Sequence, residues 1–216
     1  MQGRARPLLI FPCNGNAVEA LDCLGDAWAC VGFVDDTPAK QGTVRHGVPV
    51  LPRTALAERA DAAVLAVPGS PASYRGRAAV VGGLGVAPER WATVVHPMAR
   101  VSPLATLGRN VLIMAGVVVT SDATIGDHVC VLPNTVIHHD VTVGDWTLIG
   151  AGVTVAGGCT LGPNCYIGSG SSLIHDVTIG ERSLVGLGSN VIRDVPPDAV
   201  VAGNPARALR ASAGAR

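Results

Sequence analysis

The stretch VIHHDVTVGDW, residues 136–146, sets His138, His139 and Asp140 side by side in an otherwise apolar run. A second His-Asp pair, His175 and Asp176, follows two 18-residue intervals later. Imidazole titrates near neutrality, so it can take a proton from an attacking nucleophile, and an adjacent carboxylate can fix its tautomer and stabilise the imidazolium that forms. Neighbouring residues on a strand point to opposite faces, so such a pair works only if one member sits at a corner. The surrounding elements must supply that corner.

They do so through a repeat. Read in sixes from Val94, the second residue of every six is Val, Ile or Leu from Val95 to Val191, with no insertion. Thr-aliphatic-Gly triplets begin at Thr106, Thr124, Thr142, Thr160 and Thr178, each 18 residues after the last, so three sixes make one triangular turn. One aliphatic place in six excludes an amphipathic α-helix, whose apolar stripe recurs every three or four residues. It fits short parallel strands joined by tight turns, each aliphatic side chain pointing inward and stacking on its equivalent about 4.8 Å away. Gly108, Gly126, Gly144, Gly162 and Gly180 are expected to supply the backbone angles of the corners. On this period Ser121, His139, Gly157, His175 and Arg193 form one column, and Asp122, Asp140, Gly158, Asp176 and Asp194 the next. The two His-Asp pairs then lie about 10 Å apart, too far to act on each other directly.

Residues 1–93 read differently. A strand PLLIF (7–11), a turn PCNGN (12–16), a helix AVEALDCLG (17–25) and a strand CVGFVDD (30–36) make a βαβ unit with a parallel sheet. AAVLAVPG (62–69) and a helical stretch SYRGRAAVVGGLG (73–85) extend it. Ligands collect at the C-terminal ends of such strands, so loop 12–16, Asp35, Asp36 and Pro68–Gly69 are expected to line one pocket. The chain divides into an α/β domain at 1–93, a triangular coil of parallel strands at 94–195, which the resemblance below implies to be a left-handed parallel β-helix, and a tail at 196–216.

Composition narrows the partners. Sixteen basic residues balance sixteen acidic ones and no basic block stands out, which argues against nucleic acid and anionic lipid. The apolar runs at 62–67 and 111–119 fall short of the roughly 20 residues of a membrane span, and the N-terminal apolar stretch is too short for a signal peptide, so a cytoplasmic protein is expected. Six cysteines without a C-x-x-C pair read as buried thiols, not as a metal site.

The hexads resemble those of the left-handed β-helix acyltransferases, and NVIRDVPPDAVVAGNPAR (190–207) resembles the ending these enzymes carry after the last coil. The order of small α/β domain and β-helix is similar to the N-acetyltransferases of nucleotide-linked amino sugars, the bacillosamine and perosamine types, with their sialic acid O-acetyltransferase relatives. HHDVTVGDW resembles the family's His-Asp/Glu followed by aliphatic-Gly-Asp-aromatic, which implies His139 as general base and Asp140 as its carboxylate partner. His138 is then a substrate contact or a solvated neighbour.

FVDD (33–36) resembles the acidic pair after the family's second strand, implying Asp35 and Asp36 as nucleotide or sugar contacts. Pro12 stands where a glycine is usual and Asn16 where a histidine is common, so a phosphate cradle here lacks one N–H. The acceptor is expected over Asn14, Gly15 and Asn16, near a helix starting around Ala17, with Asp35, Asp36, Gly69 and His138 as further contacts. The resemblance also implies acetyl-CoA as co-substrate, held by Gly157, Ser169 and Leu187. Leu148 stands where relatives have a second histidine that contacts the coenzyme. The Gly157 N–H would hold the thioester oxygen as it turns anionic. A homotrimer without metal is implied. O-acetylation of a sugar hydroxyl is the nearer alternative. A non-catalytic or metal-dependent β-helix is the more distant one; a metal would need three converging histidines, and His128, His139 and His175 lack that spacing.

Overall fold

The computed structural model of the protein describes residues 5–209, so the last part of the expected tail, 210–216, lies outside the described residues. The N-terminal half is a five-stranded sheet in the order β3-β4-β2-β1-β5, with β1 at Arg6–Phe11, β2 at Trp28–Val34, β3 at Val44–Arg45, β4 at Val48–Leu51 and β5 at Ala63–Ala66. β1 pairs in parallel with both β2 and β5. Alternation along β1 sorts its side chains between two layers. Leu8 and Ile10 face the short helix α1 (Gly15–Glu19) and the second half of the chain. Leu9 and Phe11 pack with Ala55 and Leu56 of α2 (Ala55–Glu58) and Val81 of α3 (Arg77–Gly82).

The expected helix at 17–25 differs in detail. It starts at Gly15 because the Asn14 side-chain oxygen accepts from the Ala17 N–H at 2.9 Å, and it tightens into a 3-10 turn over Ala20–Cys23. The chain leaves β1 and β5 on opposite sides, so their C-terminal ends form a topological switch point, the place where open parallel sheets hold ligands.

From Val94 the chain winds as a left-handed parallel β-helix of two-residue strands, which form three sheets, one per face of a triangular prism. The first face contains Val136–Ile137, the second Thr142–Val143 and the third Leu148–Ile149. Register is strict, each strand pairing with the one 18 residues on, as Val136 does with Thr154. The second residue of each strand points inward, so that Val119, Ile137, Val155, Leu173 and Val191 make one fully buried stack among several. Parallel pairing runs on to Val200–Ala202, and Arg207–Ala208 closes it antiparallel.

The corners correct one expectation. Gly108, Gly126, Gly144, Gly162 and Gly180 are not in the left-handed region; the residue two places later is, at Asn110 (φ 54), His128 (φ 61), Trp146 (φ 67), Asn164 (φ 57) and Arg182 (φ 58). These glycines answer a different need, the close approach of one coil to the next. A Cβ on Gly144 would lie 2.5 Å from the Pro163 nitrogen, and one on Gly180 2.4 Å from that of Pro197.

On the third face the outward residue is also apolar: Leu112, Cys130, Leu148, Tyr166 and Leu184 recur every 18 residues and pack against Leu8, Ile10 and Ala17. On the second face the same place is threonine throughout, and those from Thr106 to Thr178 are exposed. That contrast explains why the N-terminal half covers the third face. Docking is finished along the edge between the second and third faces. Asn110 donates to the Ala66 carbonyl (2.9 Å) and accepts from the Ala66 N–H (2.7 Å), extending the edge of β5. His128 stacks on Trp146 with ring centroids 3.8 Å apart, and the Arg182 carbonyl accepts from the Tyr74 hydroxyl at 2.8 Å.

Candidate functional site

His139 and Asp140 lie at the edge between the first and second faces. Asp140 takes the left-handed corner conformation (φ 60), which turns two sequence neighbours toward each other; His139 Nδ1 and Asp140 Oδ2 are 2.7 Å apart. A carboxylate only accepts, so Nδ1 carries the hydrogen and the Nε2 lone pair is left free. Both side chains are open to solvent, at 61% and 63% exposure. The imidazole lies against Gly157 one coil on: a Cβ there would meet Cε1 at 2.6 Å and Nε2 at 2.7 Å. The Gly158 N–H donates to the His139 carbonyl at 3.1 Å, while the Gly157 N–H has no acceptor among the described residues. This edge therefore holds an oriented imidazole beside a free N–H. His138 is half-buried on the first face, its N–H donating to the Val155 carbonyl. His175 is exposed and has no hydrogen bond to Asp176 among the described residues.

The other expected coenzyme contacts stand on a different edge. Ser169 and Leu187 follow third-face strands, at the edge between the third and first faces; Ser169 Oγ accepts from the Ala151 N–H at 3.0 Å, and Leu187 is exposed. Leu148 is buried at the junction of the two halves. A single chain thus gathers His139, Asp140 and Gly157 but does not bring Leu148, Ser169 or Leu187 to them.

Leu148 instead lines a cavity of about 210 Å³ at the switch point, with Asn16, Gly69, Ser70 and Pro71 on one wall and Leu132, Gly150 and Tyr166 on the other. Its floor is apolar. Burial pushes the Tyr166 phenol above its ordinary range. Of the expected acceptor contacts, Asn16 and Gly69 meet here. The Asn14 side chain is committed within the chain, accepting from Ala17 N–H and donating to the Val67 carbonyl at 3.2 Å. The N–H groups of Gly15 and Asn16 have no partner among the described residues.

The acidic pair separates. Asp35 is 2% exposed and accepts from the Cys13 N–H (3.0 Å), the Thr37 N–H (2.9 Å) and Lys40 Nζ (2.8 Å). Burial alone would raise its pKa, but the Lys40 ammonium and the Thr37 N–H outweigh this and bring the carboxyl below its ordinary value. The Asp35 oxygens thus tie loop 12–16 to the end of β2. Asp36 is half-exposed in a bidentate pair with Arg53.

Sequence reading missed Arg77, Asn110 and Lys40. A signal for Asn110 was the recurring apolar outward residue, which marks the third face as covered. No group of three or more His, Cys, Asp or Glu among the described residues could hold a metal ion. His128 is half-buried, and Asn110 Nδ2 donates to its Nδ1 at 2.9 Å. Burial lowers its pKa, which Asp127 partly opposes.

The family described as bacterial transferase hexapeptide (six repeats) matches residues 104–138, 122–157 and 158–193. The coil is built of this repeat. The chain is similar to the acetyltransferase domain of PglB from Neisseria gonorrhoeae in complex with acetyl coenzyme A, with 27% identity and a TM-score of 0.83 over 95% of this chain and 100% of that one. It is similar to PerB from Caulobacter crescentus in complex with CoA and GDP-perosamine, with 28% identity and a TM-score of 0.81 over 96% and 98%. WeeI from Acinetobacter baumannii shares the fold at 22% identity and a TM-score of 0.81, over 95% of this chain and 100% of that one. No curated protein matches by sequence. No helix among the described residues is long and apolar enough to cross a membrane.

Proposed function

We propose that the protein is an acetyl-CoA-dependent N-acetyltransferase acting on the amino group of a nucleotide-linked amino sugar. The observation that carries this is the exposed His139–Asp140 pair, 2.7 Å apart, on a hexapeptide coil whose solved relatives bind acetyl coenzyme A, or CoA with GDP-perosamine. His139 Nε2 takes the proton of the acceptor nitrogen as that nitrogen attacks the thioester carbon, and Nδ1–H stays on Asp140. The Gly157 N–H receives the oxygen as it turns anionic. The tetrahedral intermediate then expels CoA as thiolate, which takes the proton back from the imidazolium, leaving an amide.

The acceptor enters from the switch point, with its sugar in the cavity beside Asn16 and Gly69 and its diphosphate toward the free N–H groups of Gly15 and Asn16, near Lys40. Asp36 and His138 are further acceptor contacts. Ser169 and Leu187 serve the donor, while Leu148 walls the acceptor cavity. Because base and cavity stand on different edges of the prism, a complete site takes its base from one chain and its cavity from a neighbour, which supports a homotrimer. Residues 1–93 then form the acceptor half, 94–195 the acyl-transfer coil and 196–216 the tail, in a cytoplasmic enzyme. Incubation with acetyl-CoA and UDP-, GDP- or dTDP-linked amino sugars should yield an acetamide, located by mass spectrometry. His139→Ala should lower kcat by about 10²–10⁴ with donor affinity kept. Acetylation only on a hydroxyl, or undiminished turnover in that variant, counts against the reading.

A further inference from the structure

Arg77 is 1% exposed, and no ion-pair partner stands beside it among the described residues. Its guanidinium faces carbonyls instead. Nε donates to Pro68 O at 2.7 Å, Nη2 to His128 O at 3.0 Å, and Nη1 to Trp146 O and, at 3.4 Å, Thr147 O. One planar fork therefore joins the loop after β5 to two successive coils. Burying a charge against neutral dipoles stabilises less than an apolar side chain of the same size would, so what the fork contributes is geometry.

That geometry ends at the cavity. Gly69, next to Pro68, has φ +123, and a Cβ there would lie 2.8 Å from Arg77 Cδ and 2.9 Å from Leu148 Cδ1. Gly69 thus lies close against both the Arg77 stem and Leu148, while the carbonyl of Pro68 before it is fixed by Nε. Gly69, Ser70 and Pro71 form one wall of the 210 Å³ cavity, and the opposite wall, Leu132, Leu148 and Tyr166, belongs to the coil. The coil wall is part of a strictly registered β-helix, so the spacing of the two walls depends on what fastens the loop.

We infer that Arg77 is a positioning residue that sets the width of the acceptor cavity by holding the Pro68 carbonyl and the carbonyls of His128 and Trp146 on one rigid fork. This rests on the function proposed above and adds the group on which acceptor recognition depends. Lysine keeps the charge but offers a single point of donation, which cannot span both sides.

The test is steady-state kinetics on the full-length enzyme with Arg77→Lys and Arg77→Met, varying acceptor and acetyl-CoA separately. In both variants KM for the nucleotide amino sugar should rise by about tenfold or more, while KM for acetyl-CoA and kcat at saturating acceptor stay within about threefold of the wild type. A role in stability alone would lower the amount of active enzyme and leave both KM values unchanged. If Arg77→Met fails to fold, Arg77→Lys decides. An Arg77→Lys enzyme with the wild-type acceptor KM, or with both KM values raised together, overturns the inference while leaving the functional reading intact. Wild-type protein that acetylates no nucleotide amino sugar overturns both.

Discussion

Gly157→Ala tests the contact between the coil and His139, the proposed base. The new Cβ would stand 2.6 Å from His139 Cε1 and 2.7 Å from Nε2, against about 3.5 Å for an ordinary carbon contact. The ring must therefore retreat by close to 1 Å, and a displacement of about 1 Å in a reacting group costs on the order of 10² in rate, or about 2.7 kcal/mol of barrier. Folding should not suffer: Gly157 is outside the left-handed region, His139 is exposed enough to swing aside, and glycine-to-alanine at a compatible backbone stabilises by roughly 0.4–1 kcal/mol. The assay is release of free CoA thiol at saturating acceptor, with melting temperature and CoA affinity measured in parallel. If the substitution acts through the base, it should add nothing in a His139→Ala background, since groups that work as a unit are not additive. A further loss of about 10² in that background would refute this reasoning and place the role of Gly157 on the coenzyme.

Other outcomes follow from the junction and the corners. Asn110→Ala leaves the buried Ala66 N–H and carbonyl unpaired and puts alanine at φ 54, so it should destabilise by about 2–4 kcal/mol in urea denaturation. Burial holds the folded-state pKa of His128 below the ordinary imidazole value of 6.5, so the unfolded chain binds the proton first. Stability should be full above that value and decline as pH falls below it, and His128→Asn, which tolerates the same backbone, should flatten this slope. Gly144→Ala drives a Cβ into the Pro163 backbone and should cost more than about 3 kcal/mol. Gly152→Ala, in open space at φ +63, should cost only about 1–2 kcal/mol by the same melting assay.

The sixfold period carried the coil and its register because each inward place is filled by one class of side chain, which no helix pattern imitates. That either His139 or Asp140 sits at a corner was required by their pairing, and it is Asp140 that does so. The period also held information that went unread. Residues 139 and 157 differ by one full turn, whereas 169 and 187 fall on another edge, so the division of the donor contacts followed from counting. The positive-φ residues were harder to see, because Trp146 and Arg182 are not types that favour this conformation and are held there by the packing and hydrogen bonds of the junction. The contacts of Asp35 with Lys40 and the backbone of its own loop were hidden because an acidic pair after a strand looks the same whatever it faces. Arg77 lay beyond reach, since its partners are carbonyls and carbonyls carry no sequence signature.

The docking edge of Asn110, His128, Trp146, Asn164 and Arg182 has a consequence for how such proteins can change length. The N-terminal half grips this edge at intervals of one coil, like teeth on a rack, at Ala66, Arg77, Arg75 and Tyr74. Inserting or deleting a whole coil inside that span keeps every face aligned yet shifts the upper teeth by one notch against a rigid domain. Growth by duplication is therefore confined to the far end, past Asp198, whose carbonyl accepts from Arg75 at 3.2 Å. An 18-residue insertion engineered after Asp127 should not be absorbed.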